Sequence, residues 1–191
     1  MARPRSFDPD EVLDLARDVF WQKGFQGTSL DDITAATGLA KPSLYAAFGD
    51  KNALFLKVLD RYHAGIVAKA EQIINDGPSA RDAIGHWLTG FVPLCSGVRG
   101  KRGCLSVNTS ADGAGEQKEV RKRIEGFNRK LEELLRNRLR ADRSQFADGF
   151  DPDGTAHTLI AIYLGLMVLA KDAPEAARVR ATLDQALKLL D

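Results

Sequence analysis

Apolar side chains recur every three to four residues in one stretch of this chain after another, and no run shows the period of two that a half-buried strand requires. The pattern predicts an all-α protein of about nine helices. The first starts at Asp8, which can cap it, with Pro9 in the opening turn, and runs to Lys23, with Gly24 as the stop. Val12, Ala16, Val19 and Phe20 form its inward stripe. Ser29 caps a short second helix ending near Thr37, where Asp31 and Asp32 occupy the first turn that the helix dipole favours for negative charge. Gly38 breaks it, and Lys41 to Phe48 forms a third short helix. Asp50 caps a long fourth helix with Phe55, Val58, Leu59, Tyr62 and Ile66 on one stripe.

The Asp76-Gly77-Pro78-Ser79 stretch separates this helix from a fifth, whose apolar positions are Ala83, Ile84, Trp87, Leu88 and Phe91. Between Ser96 and Gly115 the pattern gives way to Gly-rich and basic residues, which predicts a loop with one short helix near Val107. A long seventh helix follows from Glu116 to Ala141, with Val120, Ile124, Phe127, Leu131, Leu134 and Leu135 inward; its Arg121, Lys122, Arg123, Arg136, Arg138 and Arg140 read as a solvated face. The eighth helix, Thr155 to Lys171, is apolar almost all round, so it must be covered on more than one side. A second copy of the chain covers it most simply. The ninth helix, Glu175 to Leu190, adds a stripe of Val179, Leu183, Ala186, Leu187 and Leu190, and Gly165 permits close approach of backbones. These features predict a homodimer through helices eight and nine.

The second and third helices are too short to bury much surface alone, so they must lean on the first and fourth. Leu30, Ile33, Leu39, Leu44 and Phe48 can supply that small core. Lys41, Ser43 and Tyr45 are then left facing outward on a helix small enough to enter a major groove about 12 Å wide. The order of Phe20, Gly24, Thr28, Ile33, Ala36, Gly38, Leu44-Tyr45, Phe48 and Lys51 resembles the TetR family of repressors, densely over residues 10 to 60 and more loosely, through helix number and length, beyond.

That resemblance implies an N-terminal helix-turn-helix DNA-binding domain, residues 1–51, and a C-terminal helical ligand-sensing and dimerisation domain, residues 52–191. It implies that Thr28 and Ser29 hold the DNA backbone at the second helix, that Tyr45 and Lys51 bind phosphates, and that Lys41, Pro42 and Ser43 lie nearest the bases. The implied partners are double-stranded operator DNA of palindromic sequence, a second copy of the chain and a small-molecule effector that releases the repressor from the operator. Two departures stand out. Ala40 sits where many members carry a capping Ser or Thr, a loss of about 1 kcal/mol of helix stability. Ala46 and Ala47 replace larger residues, which shifts readout from hydrogen bonds toward thymine methyl contacts and groove shape.

Charge adds a constraint. The 191 residues carry 27 Lys plus Arg against 26 Asp plus Glu, so any affinity for nucleic acid rests on where the charges lie. Residues 1–51 hold six basic and eight acidic side chains. The basic groups must therefore be concentrated on the DNA face, and Arg3 and Arg5 on the N-terminal arm can reach an adjacent minor groove.

Tyr62, Ile66, Trp87, Phe91, Phe127 and Leu131 are apolar or aromatic and can line a pocket for a hydrophobic or aromatic molecule. Gly103-Cys104-Leu105-Ser106-Val107-Asn108-Thr109 resembles a segment in one branch of the family. Cys104 follows Arg99, Lys101 and Arg102, whose charge would favour a thiolate, so electrophile or oxidant sensing is an alternative to ligand release, as is a ligand-independent activator. No convergent nucleophile, base or metal set is evident, so neither catalysis, metal nor cofactor is expected. No run reaches the roughly 18 apolar residues of a membrane span and the first residues lack a signal-like apolar stretch, which predicts a cytoplasmic protein without a membrane partner.

Overall fold

Asp8 accepts a hydrogen bond from the Asp10 backbone N–H at 2.9 Å, and Pro9, which has no N–H to leave unpaired, opens helix α1 (Pro9–Gly27). This computed structural model describes residues 7–191, with the backbone alone for Arg99; Arg3 and Arg5 therefore lie outside the described residues. Among them are nine helices of seven or more residues: α1, α2 (Leu30–Thr37), α3 (Lys41–Phe48), α4 (Lys51–Asp76), α5 (Ala80–Thr89), α6 (Leu105–Ala111), α7 (Lys118–Ala141), α8 (Pro152–Leu169) and α9 (Ala176–Leu187). The all-α expectation holds, and the expected boundaries are met within a few residues.

The chain divides into two compact units. The first runs through Ala64 and takes in Asn108–Arg123, so it extends beyond the helix-turn-helix. Its core is aromatic: Phe55 stands 4.8 Å from Phe20 and 4.9 Å from Phe25, ring centre to ring centre, with Ile33, Leu44, Phe48, Leu54 and Leu59 buried around them. Gly24 breaks α1 as expected, at φ 72° and ψ 168°, a conformation open almost only to glycine, and the chain then makes one more turn to Gly27.

The second unit comprises Gly65–Val107 and Ile124–Asp191. Ala83, Ile84, Trp87 and Leu88 of α5, Phe127, Leu131, Leu135 and Leu139 of α7, and Leu159, Tyr163 and Leu166 of α8 are buried. One expectation fails here. The stretch from Ser96 to Gly115 is not a loop with one helix: single helical turns at Val92–Cys95 and Gly97–Gly100 precede α6, and a 3-10 turn at Gly113–Glu116 follows it. Gly97 and Gly103, both at φ 62°, punctuate these turns without unwinding them, while Cys95, Cys104 and Leu105 are buried as anchors.

Two further corrections concern charge and hydropathy. Arg138 is not part of a solvated face, because its guanidinium donates to the Gly77 carbonyl at 2.7 Å and pairs with Asp142 at 3.1 Å. Arg136 is likewise held, 2.6 Å from Asp153. The segment Pro152–Asp172 is long and apolar enough by composition to cross a membrane, contrary to the expectation that no run reaches that limit; polar His157 and Thr158 interrupt the run without lowering its average far. In the fold, Ala156, Leu159, Ile160, Tyr163, Leu166 and Met167 of this helix face the core.

Candidate nucleic-acid interface

Helix α2 is held open at its start by a reciprocal cap. The Asp32 N–H donates to Ser29 Oγ at 3.1 Å and the Ser29 N–H donates to Asp32 Oδ2 at 2.9 Å, so two otherwise unpaired donors are satisfied at once. Lys23 reaches Asp32 from α1 at 2.5 Å, and this bond, with those from Ser29, holds the Asp32 carboxyl at about 2, below its ordinary 3.8. Gly38 then takes the left-handed conformation, φ 70°, which ends α2 and turns the chain into α3.

No side chain caps α3, as the sequence led us to expect from Ala40. The loss is small for a physical reason: Pro42 has no N–H, and the Ser43 and Leu44 N–H groups both donate to the Ala40 carbonyl, at 3.0 and 3.1 Å. Leu44 and Phe48 point inward and are buried. Lys41, Pro42, Ser43, Tyr45 and Ala46 are exposed, Tyr45 at 48%, so the helix presents a continuous edge that spends none of its polar groups on the core.

The structure separates the expected DNA-contacting residues into two groups. Lys41, Pro42, Ser43 and Tyr45 lie together on the exposed edge of α3. Thr28 is buried and its hydroxyl donates to the Gly24 carbonyl at 2.6 Å; Ser29 is exposed but spends its hydroxyl in the cap. Lys51 is turned toward the corner between α1 and α2, where its ammonium donates to the carbonyls of Phe25 at 3.0 Å and Thr28 at 2.9 Å and lies 4.5 Å over the Phe25 ring. Sequence reasoning missed Asp112 as the residue that meets this corner from the other side, accepting from the Phe25 N–H at 3.0 Å; nothing in its local sequence signals that role.

The expected ligand-lining residues also separate. Tyr62 belongs to the first unit and packs against Trp21, 5.1 Å between ring centres. In the second unit, Trp87, Phe91 and Tyr163 form a buried aromatic triangle with centroid distances of 4.8, 4.9 and 5.8 Å, and the Cys104 thiol lies 3.8 Å from the Tyr163 hydroxyl. Tyr163 is the member that periodicity alone had assigned to the dimer helix. Phe127 and Leu131 are buried on α7, and Ile66 is half-buried on α4.

Two short helices joined at a left-handed glycine, with the second exposing a polar edge, define a helix-turn-helix protein. Residues 12–58 match the family described as "Bacterial regulatory proteins, tetR family", and residues 87–187 match "Tetracyclin repressor-like, C-terminal domain". The chain belongs to the TetR family of transcriptional regulators. It is 30% identical over 173 residues to the HTH-type transcriptional repressor ComR of Escherichia coli (strain K12), covering 89% of this chain and 82% of ComR. It is 28% identical to the HTH-type transcriptional regulator YezE of Bacillus subtilis (strain 168) over the whole of both chains. Among solved structures, a cysteine-substituted form of the TetR family regulator CifR, complexed with a 26-bp operator duplex, is similar with a TM-score of 0.87 and 32% identity over 100% of both chains.

Proposed function

We propose that this protein is a cytoplasmic, non-enzymatic repressor that binds a palindromic operator as a homodimer and leaves it when a small hydrophobic or aromatic molecule binds the second unit. The DNA-contacting part falls within residues 1–51, and residues 52–191 serve sensing and dimerisation. The observation that carries the reading is the exposed Lys41-Pro42-Ser43 and Tyr45 edge of α3, opposite a face spent on Leu44 and Phe48. A helix of this size fits a major groove, and a protein of 32% identity over its full length is bound to operator DNA. The Tyr45 and Ser43 hydroxyls supply phosphate and base-edge donors; Ala46 supplies a methyl for apolar contact with thymine.

The Trp87, Phe91 and Tyr163 triangle, packed edge-on and tilted, supports an aromatic or hydrophobic effector, since such a cluster of rings offers apolar faces and edges for a flat apolar molecule to pack against. Release follows only if the effector favours a state whose recognition helices no longer match the operator. Burial supports this reading over thiol chemistry. Cys104 is 2% exposed, and burial raises the Cys95 thiol to about 11, which keeps it protonated.

A gel-shift with duplex fragments from the upstream region of the protein's own gene tests the proposal. One fragment is expected to be retarded in the presence of excess random duplex, Tyr45→Ala is expected to weaken it about ten-fold, which corresponds to one phosphate or base contact of about 1.4 kcal/mol, and aromatic compounds that quench Trp87 fluorescence are expected to release it. Absence of any specific retardation would overturn the assignment.

A further inference from the structure

Every Lys and Arg described between residues 7 and 64 has an internal partner. Arg17 binds Asp14 and Asp18, and Arg61 binds Asp10 and Asp14. Lys23 holds Asp32, Lys51 holds two carbonyls, and Lys57 reaches the Ala47 carbonyl at 3.4 Å and lies 5.5 Å over the Phe48 ring. The remaining cation, Lys41, stands at the first position of α3 and is paired with Asp31 of α2 at 2.6 Å. It is the one lysine on the exposed edge of α3, so its pairing decides how much unspent positive charge that edge offers to a phosphate.

Asp31 lies in the first turn of α2, where the helix dipole favours its charge, but the cap of that helix does not depend on it. The cap of α2 is carried by Ser29 and Asp32, and the Asp31 side chain is 77% exposed. An exposed pair of this kind is weak and exchanges readily. A phosphate approaching Lys41 must displace the Asp31 carboxylate and then remain beside it, and this cost is the same on every DNA sequence. Contacts that depend on sequence, such as those of Tyr45, Ser43 and Ala46, are unaffected by it.

We infer that Asp31 sets the overall affinity of α3 for duplex DNA: by occupying Lys41 it weakens the sequence-independent phosphate contact by the same factor on every duplex, so that holding the protein in place depends more on the other α3 contacts. Random duplex binds through phosphate contacts almost alone, so the same loss takes it below a useful affinity while a site offering the remaining α3 contacts is still held. The inference rests on the operator-binding reading above.

The test compares the wild-type protein with Asp31→Asn, Lys41→Gln and the double variant, by fluorescence anisotropy on the retarded upstream fragment and on a scrambled duplex of the same composition at two salt concentrations. Asp31→Asn is expected to tighten binding to the scrambled duplex and to the specific fragment alike, about two- to five-fold, the size of an exposed ion pair. The salt slope on scrambled duplex is expected to steepen by about one phosphate contact. In the Lys41→Gln background the Asp31 substitution is expected to have no effect. An unchanged affinity for scrambled duplex, a gain confined to one of the two duplexes, or a gain that persists without Lys41 would overturn the inference while leaving operator binding intact. A wild-type protein that prefers neither duplex would overturn the operator reading itself, and this inference with it.

Discussion

Asp112 accepts a hydrogen bond from the Phe25 N–H across 87 residues of sequence, at 3.0 Å, while Lys51 holds the Phe25 carbonyl from the opposite side. The corner between α1 and α2 is thus fixed at both ends of one residue. Gly24 permits it: a Cβ there would stand 2.8 Å from Asp112 Oδ2, and its φ of 72° is one that side chains avoid. The orientation of α2, and of α3 which packs on it, follows from how this corner is held.

Removing the acceptor leaves the Phe25 N–H unpaired in a partly buried place, at a cost of about 1 to 3 kcal/mol. Asp112→Ala is therefore expected to lower the melting temperature and to weaken binding to the specific fragment more than to scrambled duplex, because α3 loses its fixed aim. Asp112→Asn, which keeps an acceptor oxygen, is expected to recover most of both losses. Melting by circular dichroism together with anisotropy on the two duplexes checks this; an Ala variant that matches wild type in both would remove Asp112 from the corner's support.

Much of this unit was legible from local sequence. Ser29 with Asp32 three residues on, Gly38 at the turn and the spacing of Ile33, Leu44 and Phe48 each act over one or two helical turns, and each is where periodicity and capping rules place it. What escaped depends on distant residues. The inward turn of Lys51 is set by the carbonyls of Phe25 and Thr28, the place of Asp112 by a contact 87 positions away, and the role of Tyr163 by rings on another helix. The turns between Val92 and Gly100 were hidden because glycine reads as a breaker whether it ends a helix or merely separates two short ones.

The Asp32 carboxyl carries a pH prediction. Its folded value near 2 lies below the ordinary 3.8, chiefly through the Lys23 bond and then through Ser29, so the charged form stabilises the folded state above about pH 4 and that contribution disappears as the pH falls toward 2. A carbon-detected titration of the Asp32 carboxyl is expected to show a midpoint near 2 in the wild type. In Lys23→Gln the midpoint is expected to rise toward the ordinary value, with the α2 amides losing protection at correspondingly higher pH. A midpoint unmoved by that substitution would mean that the cap alone sets it.

Lys51 distinguishes a brace from a phosphate ligand. Its two carbonyl bonds and its place over Phe25 predict that Lys51→Met costs about 1 kcal/mol of stability in the absence of DNA. A residue whose ammonium served DNA alone would change the affinity and the salt slope and leave the melt where it was. Chemical denaturation of the free protein, with unchanged m-value and lower midpoint, is the expected result.

The last prediction concerns the outer side of α8. Its inner face is filled by Leu159, Tyr163 and Leu166, yet Val168 remains 56% exposed and Leu169 42% exposed, beside Ala161 and Gly165, which are also exposed. A helix whose outward stripe is small and apolar loses nothing by close approach to a symmetric copy, and a two-fold contact buries each of these side chains twice over. A charge placed there must be desolvated twice at the same axis. Val168→Asp is therefore expected to shift the protein from dimer to monomer in sedimentation equilibrium, and to abolish retention of the palindromic fragment, since one recognition helix alone holds only a half-site. Leu15→Asp, at an exposed apolar residue on α1, is the control and is expected to leave the dimer in place. If Val168→Asp sediments as a dimer, α8 is not the contact.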